Sequence, residues 1–324
     1  MTPADAKKTI CGPLIPVITN YADDLSVDHD AIRENVDYVV DRGVRTGSGV
    51  LLAAGAGGDF PMLTLDERKA VSETIVRTAA GRTPVLIGAQ DTNPAVSVEL
   101  ARFAEDIGAW GIQLAPGYYY ESSPQDCYRL FETVHEATST LGIMIYNTHW
   151  EAYDMSLDDV ERLAALPRCL ALKWSTARGA LAYQRGVVRF RDRLAVIDNH
   201  GLQGLTHMLG GRGYITHLCT VWPEHDLEVF RLLEAGDYGA AQELLSTVNW
   251  PWYDFRVRMW RRTGAESPVV NAALELTGRK GGPSRLPTRR LDESEREELR
   301  RILIEIGAPD VQARTAGSAD LRSA

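Results

Sequence analysis

From about residue 13 onward, short and almost uniformly apolar runs alternate with longer stretches of helical spacing. The first four runs are Pro13-Leu14-Ile15-Pro16-Val17-Ile18, Gly49-Val50-Leu51-Leu52-Ala53-Ala54, Pro84-Val85-Leu86-Ile87-Gly88 and Gly111-Ile112-Gln113-Leu114-Ala115. The next four are Gly142-Ile143-Met144-Ile145-Tyr146, residues 170–173, Leu194-Ala195-Val196-Ile197-Asp198 and Gly213-Tyr214-Ile215-Thr216. Each has the length and uniformity of a strand covered on both faces. After the first run, Ile32, Val36, Val39 and Val40 share one helical face within residues 27–42. Thr64-Leu65-Asp66-Glu67 has the capping-box pattern that opens a helix, and further helices follow Asn93-Pro94 and Pro124.

Eight strand–helix units spaced by about 25 to 30 residues predict parallel strands joined by crossover helices. They suit a closed (β/α)8 TIM barrel of about 250 residues, with a doubly wound open sheet as the alternative. The strand signal stops after residue 224, and residues 226–235, 238–262, 269–276 and 293–306 read as helices. The first of these closes the barrel, and the others form a C-terminal helical extension. The expected division is a barrel over residues 12–235, an extension over 236–306 and a disordered tail over 307–324.

The 324-residue length accommodates that plan, and the net charge of −9 argues against nucleic acid or an anionic membrane as a main partner. The arginine- and aromatic-rich residues 250–262 are the one stretch that points toward nucleic acid. Their helical spacing in an acidic chain favours packing on the barrel or a subunit interface. No run is long and apolar enough to span a membrane, and MTPADAKKTI lacks the apolar core of a secretion signal. Cys11, Cys127, Cys169 and Cys219 are widely spaced, as expected for reduced thiols in a cytoplasmic protein, and offer no zinc pattern.

Barrel enzymes place their chemistry at the C-terminal ends of the strands. The sixth strand ends in Lys173, and burying an ammonium among apolar neighbours lowers its pKa and frees a nucleophilic amine. On this segment alone, a lysine that snorkels to solvent explains the pattern as simply. Tyr146 ends the adjacent strand and can exchange a proton with a carbonyl adduct, or be an interior aromatic with a bonded hydroxyl. Gly55-Ala56-Gly57-Gly58-Asp59 follows the second strand, where exposed backbone amides suit a small carboxylate, although a tight loop would use the same glycines.

In order and spacing, these residues resemble the dihydrodipicolinate synthase / N-acetylneuraminate lyase family of Schiff-base class I aldolases. The resemblance covers roughly residues 12–305. It is carried by the second-strand loop with Leu63-Thr64 and Glu67-Arg68, by Ile145-Tyr146-Asn147, by Leu172-Lys173, and by Gly210-Gly211, Gly213-Tyr214-Ile215 and Pro223. It implies that Lys173 forms the imine and Tyr146 is the acid/base. It also implies that Tyr119 reaches across from a neighbouring subunit in a homo-oligomer, a dimer or a tetramer. No metal or organic cofactor is implied.

Departures from the family pattern bear on the substrate. The usual Gly-Thr-Thr-Gly-Glu is here Gly55-Ala56-Gly57-Gly58-Asp59, so a hydroxyl relay through that loop is lost while the amides of Ala56, Gly57 and Gly58 remain. Glu151 stands where the synthases carry an arginine for a second carboxylate, which argues against a dicarboxylate product. With one inserted residue, the 146–153 segment resembles the hydratase-aldolase branch, which cleaves arylidene-pyruvates. Trp150 and Trp174, with Trp222 behind them, are candidates to wall an apolar or aromatic substrate, or to pack loops on helices. Asn147 is a further candidate contact. His149 and His217 are candidate titrating groups, ahead of Asn199 and His200, although a lone histidine is more often structural. The expected reaction is aldol cleavage or formation between a pyruvate-type 2-oxo acid and an apolar aldehyde. An imine-dependent dehydratase or decarboxylase and a non-catalytic sensor on the same fold are the alternatives.

Overall fold

The computed structural model describes residues 1–312. Its eight strands are all parallel and close on themselves in chain order, β1 pairing with β8, which makes a (β/α)8 TIM barrel. The strands are β1 Gly12–Pro16, β2 Val50–Ala53, β3 Val85–Gly88, β4 Gly111–Leu114, β5 Gly142–Tyr146, β6 Cys169–Trp174, β7 Ala195–Asp198 and β8 Gly213–Ile215. Helix α1, Pro3–Thr9, precedes them. It begins with a capping box between Thr2 and Asp5, an element that the hydrophobic pattern does not reveal. The crossovers are α2 His29–Asp41, α3 Leu65–Ala79, α4 Pro94–Asp106, α5 Pro124–Glu136, α6 Leu157–Ala164, α7 Ala180–Phe190 and α8 Gln203–Met208. Helix α9, Pro223–Glu234, follows β8.

Side chains alternate between two layers, as the period-2 geometry of a strand requires. Leu14, Leu52, Leu86, Met144, Ala171 and Ile197 fill the barrel interior. Ile15, Leu51, Ile87, Ile145, Leu172 and Val196 point outward into the layer beneath the helices. Trp174 shares the outward parity of Leu172. Its indole Nε1 donates to the Tyr183 carbonyl at 3.0 Å, so it secures α7 to the sheet and does not wall a substrate.

The extension consists of α10 Tyr238–Leu244, a π-helical turn at Leu245–Asn249, α11 Trp250–Thr263, α12 Ser267–Leu276 and α13 Glu293–Glu305. A single helix over 238–262 is therefore interrupted. Pro251 has no N–H to donate and its ring crowds the preceding turn, which widens there. Trp252, Phe255, Met259, Leu274, Leu299 and Leu303 form a second core, joined by Ile18, Leu218 and Val221 from loops at the C-terminal ends of the strands. The extension thus packs across the barrel mouth. The first residues of the expected tail are docked there as well. Ala308 and Val311 pack on this core and the Gln312 amide donates to the Leu276 carbonyl at 2.8 Å. The remainder of that expectation, residues 313–324, lies outside the described residues.

Candidate active site

β6 sends Ala171 and Lys173 to the interior face, and β5 does the same with Met144 and Tyr146. Tyr146 and Lys173 are direct partners in the β5–β6 register. The Lys173 ammonium therefore lies over the Tyr146 ring, 4.2 Å from its centroid. Lys173 is only 6 % exposed, which removes the snorkelling alternative. Burial brings its pKa down from 10.5 to about 8, against the smaller opposing pull of Glu266 and Glu151. Burial drives the Tyr146 hydroxyl the other way, well above its ordinary range, so it stays protonated at neutral pH. A lysine of lowered pKa thus lies over the ring of a protonated tyrosine, a pairing that can supply an amine nucleophile and a proton donor.

Both line a cavity of about 400 Å³ at the C-terminal end of the barrel. Ala56 and Gly57 border it, while the Gly58 amide is directed elsewhere, donating to the Gly55 carbonyl at 3.0 Å. Of the three amides expected to meet a carboxylate, those of Ala56 and Gly57 begin the 3₁₀ turn and are its unspent donors. Glu151 borders the cavity beside Thr148, its carboxyl raised by burial and by Glu266. Trp150, Phe60 and Trp260 supply aromatic wall.

Several expected residues lie outside this cavity. Tyr119 is 83 % exposed at a positive φ of 81°, whereas its neighbour Tyr118 lines the wall. Asn147 is fully engaged in holding the loop after β5. Its amide nitrogen donates to Asp154 at 2.7 Å and to the Ser175 carbonyl at 2.6 Å, and its oxygen accepts from the Met155 amide. His149 packs edge-on against Trp150, 4.8 Å between centroids, and faces an adjoining cavity of about 860 Å³. Trp222 packs with the extension core instead.

His217, just past β8, does reach the site. Its Nε2 lies 3.1 Å from Glu266 Oε2, and Arg256 Nη1 lies 3.1 Å from the other carboxylate oxygen. Burial and Arg256 hold the imidazole pKa below its usual value, so the ring is neutral near pH 7. Glu266 stays ionised: burial opposes this, but His217, Arg256 and Lys173 together outweigh it. Arg256, Trp260 and Glu266 come from α11 and the turn after it, and the sequence reading did not find them. Their spacing is that of an ordinary packed helix, and nothing local marks which face overlooks the barrel mouth. Asp59 ends the loop after β2 and borders the same cavity. It takes a left-handed φ of 56°, is buried, and accepts from the Ser267 hydroxyl at 2.8 Å.

Among the described residues, no cluster of three or more His, Cys, Asp or Glu side chains could hold a metal ion, and no helix is long and apolar enough to cross a membrane. The four cysteines are free and buried.

The sequence model of the Dihydrodipicolinate synthetase family matches residues 10–306. Curated relatives include a 4-hydroxy-tetrahydrodipicolinate synthase of Laribacter hongkongensis, 29 % identical over 91 % of this chain and 98 % of that protein. Another is a probable 5-dehydro-4-deoxyglucarate dehydratase of Methylobacterium radiotolerans, 31 % identical over 94 % of this chain and 98 % of that protein. Among solved structures, a prophage protein of E. coli from the dihydrodipicolinic acid synthase family, in complex with pyruvate, superposes with a TM-score of 0.82. It is 25 % identical, with 91 % of this chain and 98 % of that one covered. With the buried lysine and its tyrosine in place, the chain belongs to the dihydrodipicolinate synthetase family and is a carbon–carbon lyase of the class I aldolase type.

Proposed function

We propose that this protein joins or splits pyruvate and an apolar, ring-bearing aldehyde through an imine on Lys173, without metal or organic cofactor. The observation that carries this reading is the composition of the cavity around the lysine. Phe60, Trp150 and Trp260 offer apolar surface, Glu151 would repel a second carboxylate, and the Arg256 guanidinium at the cavity is already engaged by Glu266. In the cleavage direction, Lys173 Nζ attacks C2 of the 2-oxo acid and water leaves, with the Tyr146 hydroxyl passing the protons. The substrate carboxylate rests on the amides of Ala56 and Gly57. The C3–C4 bond then breaks, its electron pair becoming the C2=C3 bond as the C=N pair returns to nitrogen. The C4 hydroxyl loses its proton and the aldehyde departs. Protonation at C3 and hydrolysis release pyruvate. The exposed Tyr119 suits a contact with a second copy in a dimer or tetramer.

Dehydration or decarboxylation of a longer 2-oxo acid is the second reading, favoured by the 31 % identity to the probable dehydratase. Borohydride reduction in the presence of pyruvate, followed by peptide mass spectrometry, tests the first. The expected result is a reduced adduct on Lys173 that disappears in Lys173→Ala, followed by pyruvate-dependent consumption of aromatic aldehydes. An adduct formed only with longer 2-oxo acids would overturn pyruvate as donor and leave the dehydratase reading. No adduct with any oxo acid would end both.

A further inference from the structure

The cavity of about 860 Å³ that adjoins the lysine site plays no part in the chemistry above. Trp150, Asn199 and Trp260 border both cavities, so the two meet at a boundary of side chains. The register of β7 places that boundary relative to the lysine. Ile197 is the direct partner of Lys173 and points into the barrel. The Asn199 amide donates to the Trp174 carbonyl at 3.0 Å, which carries the ladder one step past the strand. By alternation the Asn199 side chain points inward again, about 7 Å further along the barrel than Ile197. Its amide nitrogen is buried and has no partner. β2 and β6 lie on opposite sides of the ring of eight strands. A 2-oxo acid stretched from Lys173 on β6 to the amides after β2 therefore turns its C3 substituent toward the barrel mouth. On the β7 side of that mouth it meets Asn199, and beyond it the outer cavity.

The outer cavity is built for a ring. Trp250 and Tyr253 border it and are 53 % and 48 % exposed, an amount of aromatic surface on one helix that a ligand would cover. The inner cavity of about 400 Å³ is near the lower end of the range for ligand sites, roughly 300–1,000 Å³, and suits the 2-oxo acid with one ring. We propose that the outer cavity is a second subsite, and that the aldehyde carries a second ring that binds there against Trp250 and Tyr253. Its first ring lies beside Trp150 and Trp260, the indoles common to both cavities. The inference rests on the aldehyde reading above and names the size of the substrate that this reading leaves open.

The test is a ratio of kcat/KM values, measured on the full chain as pyruvate-dependent aldehyde consumption. The probes are 2-naphthaldehyde and biphenyl-4-carbaldehyde, each against benzaldehyde. The unaltered protein should prefer one of the two-ring aldehydes by at least about tenfold, the scale on which pocket contacts discriminate. Val257 borders the outer cavity and not the inner one, so Val257→Trp fills the proposed subsite alone. It should lower the ratio by at least about tenfold. Damage to the lysine site would slow both substrates alike and cancel in the ratio. A ratio near one in the unaltered protein, or a ratio that Val257→Trp does not move, overturns the proposal. A changed oligomeric state in Val257→Trp with the ratio intact overturns it as well, because a second copy of the chain would then occupy the cavity. If Val257→Trp does not fold, Gln203→Trp enters the same cavity from α8, and its ratio decides. Borohydride trapping with pyruvate runs in parallel. No adduct on Lys173, or an adduct with no aldehyde consumed, defeats the reading on which the subsite rests and the subsite with it. Normal trapping and aldehyde consumption with a flat ratio defeats the subsite alone.

Discussion

Lys173 illustrates how burial creates reactivity at a single residue. Desolvation penalises the ammonium more than Glu266 and Glu151 support it, and the pKa settles at about 8. The free amine is therefore abundant at pH values where an ordinary lysine is almost wholly protonated. The rate of pyruvate trapping on Lys173 should rise as pH increases toward 8 and level off above it. A midpoint near the unperturbed lysine value of 10.5 would show that the side chain is solvated after all. This residue was conspicuous in the sequence as a lone charge in an apolar strand, but its burial, which excludes a snorkelling side chain, was read from the structure. His217 was legible only as a candidate, since nothing near it in the chain reveals that Glu266 and Arg256 converge on it.

At the scale of the element, alternation along β6 decides which neighbour of the lysine does what. Lys173 and Trp174 are adjacent, so they must point to opposite faces of the sheet. The parity that puts Lys173 inside the barrel puts Trp174 against α7, where Gly186 makes room for it. A Cβ at Gly186 would lie 2.5 Å from the indole nitrogen. This much was available from the sequence once Lys173 was placed in the site. Trp174→Phe should lower stability by about 1–3 kcal/mol, through the lost hydrogen bond to Tyr183 and the unfilled volume. Chemical denaturation measures that loss, and the fraction of folded protein trapped with pyruvate should not change. A selective loss of trapping would return Trp174 to the site.

Across the whole molecule, the extension closes one side of the cavity around Lys173. It contributes Arg256, Trp260 and Glu266 to the cavity, and Ser267 binds Asp59 of the β2 loop. Burial raises the Asp59 pKa from 3.8 to about 7. The folded chain therefore keeps a proton that the unfolded chain releases, and stability declines as pH rises from about 4 to about 7. Asp59→Asn removes this titration and retains an acceptor for Ser267. Its stability should match the unaltered protein near pH 4 and exceed it above pH 7, by on the order of 2–4 kcal/mol. Thermal melts at the two pH values check this, and a difference that does not grow with pH would place the carboxyl in solvent.

The sequence by itself determined the barrel, because eight uniformly apolar runs separated by helical spacing have few other ways to bury themselves. It also determined that Lys173 and Tyr146 end adjacent strands, where a local pattern specifies both position and direction. Only the tertiary structure decided which loop residues face the cavity. Asn147 is used to hold its own loop, Tyr118 lines the wall while Tyr119 is exposed, and Glu266 arrives from more than ninety positions beyond Lys173 in the chain. Strand periodicity propagates orientation from one residue to the next. A loop or an inter-helix turn carries no such period, so its side chains are oriented by what packs against them.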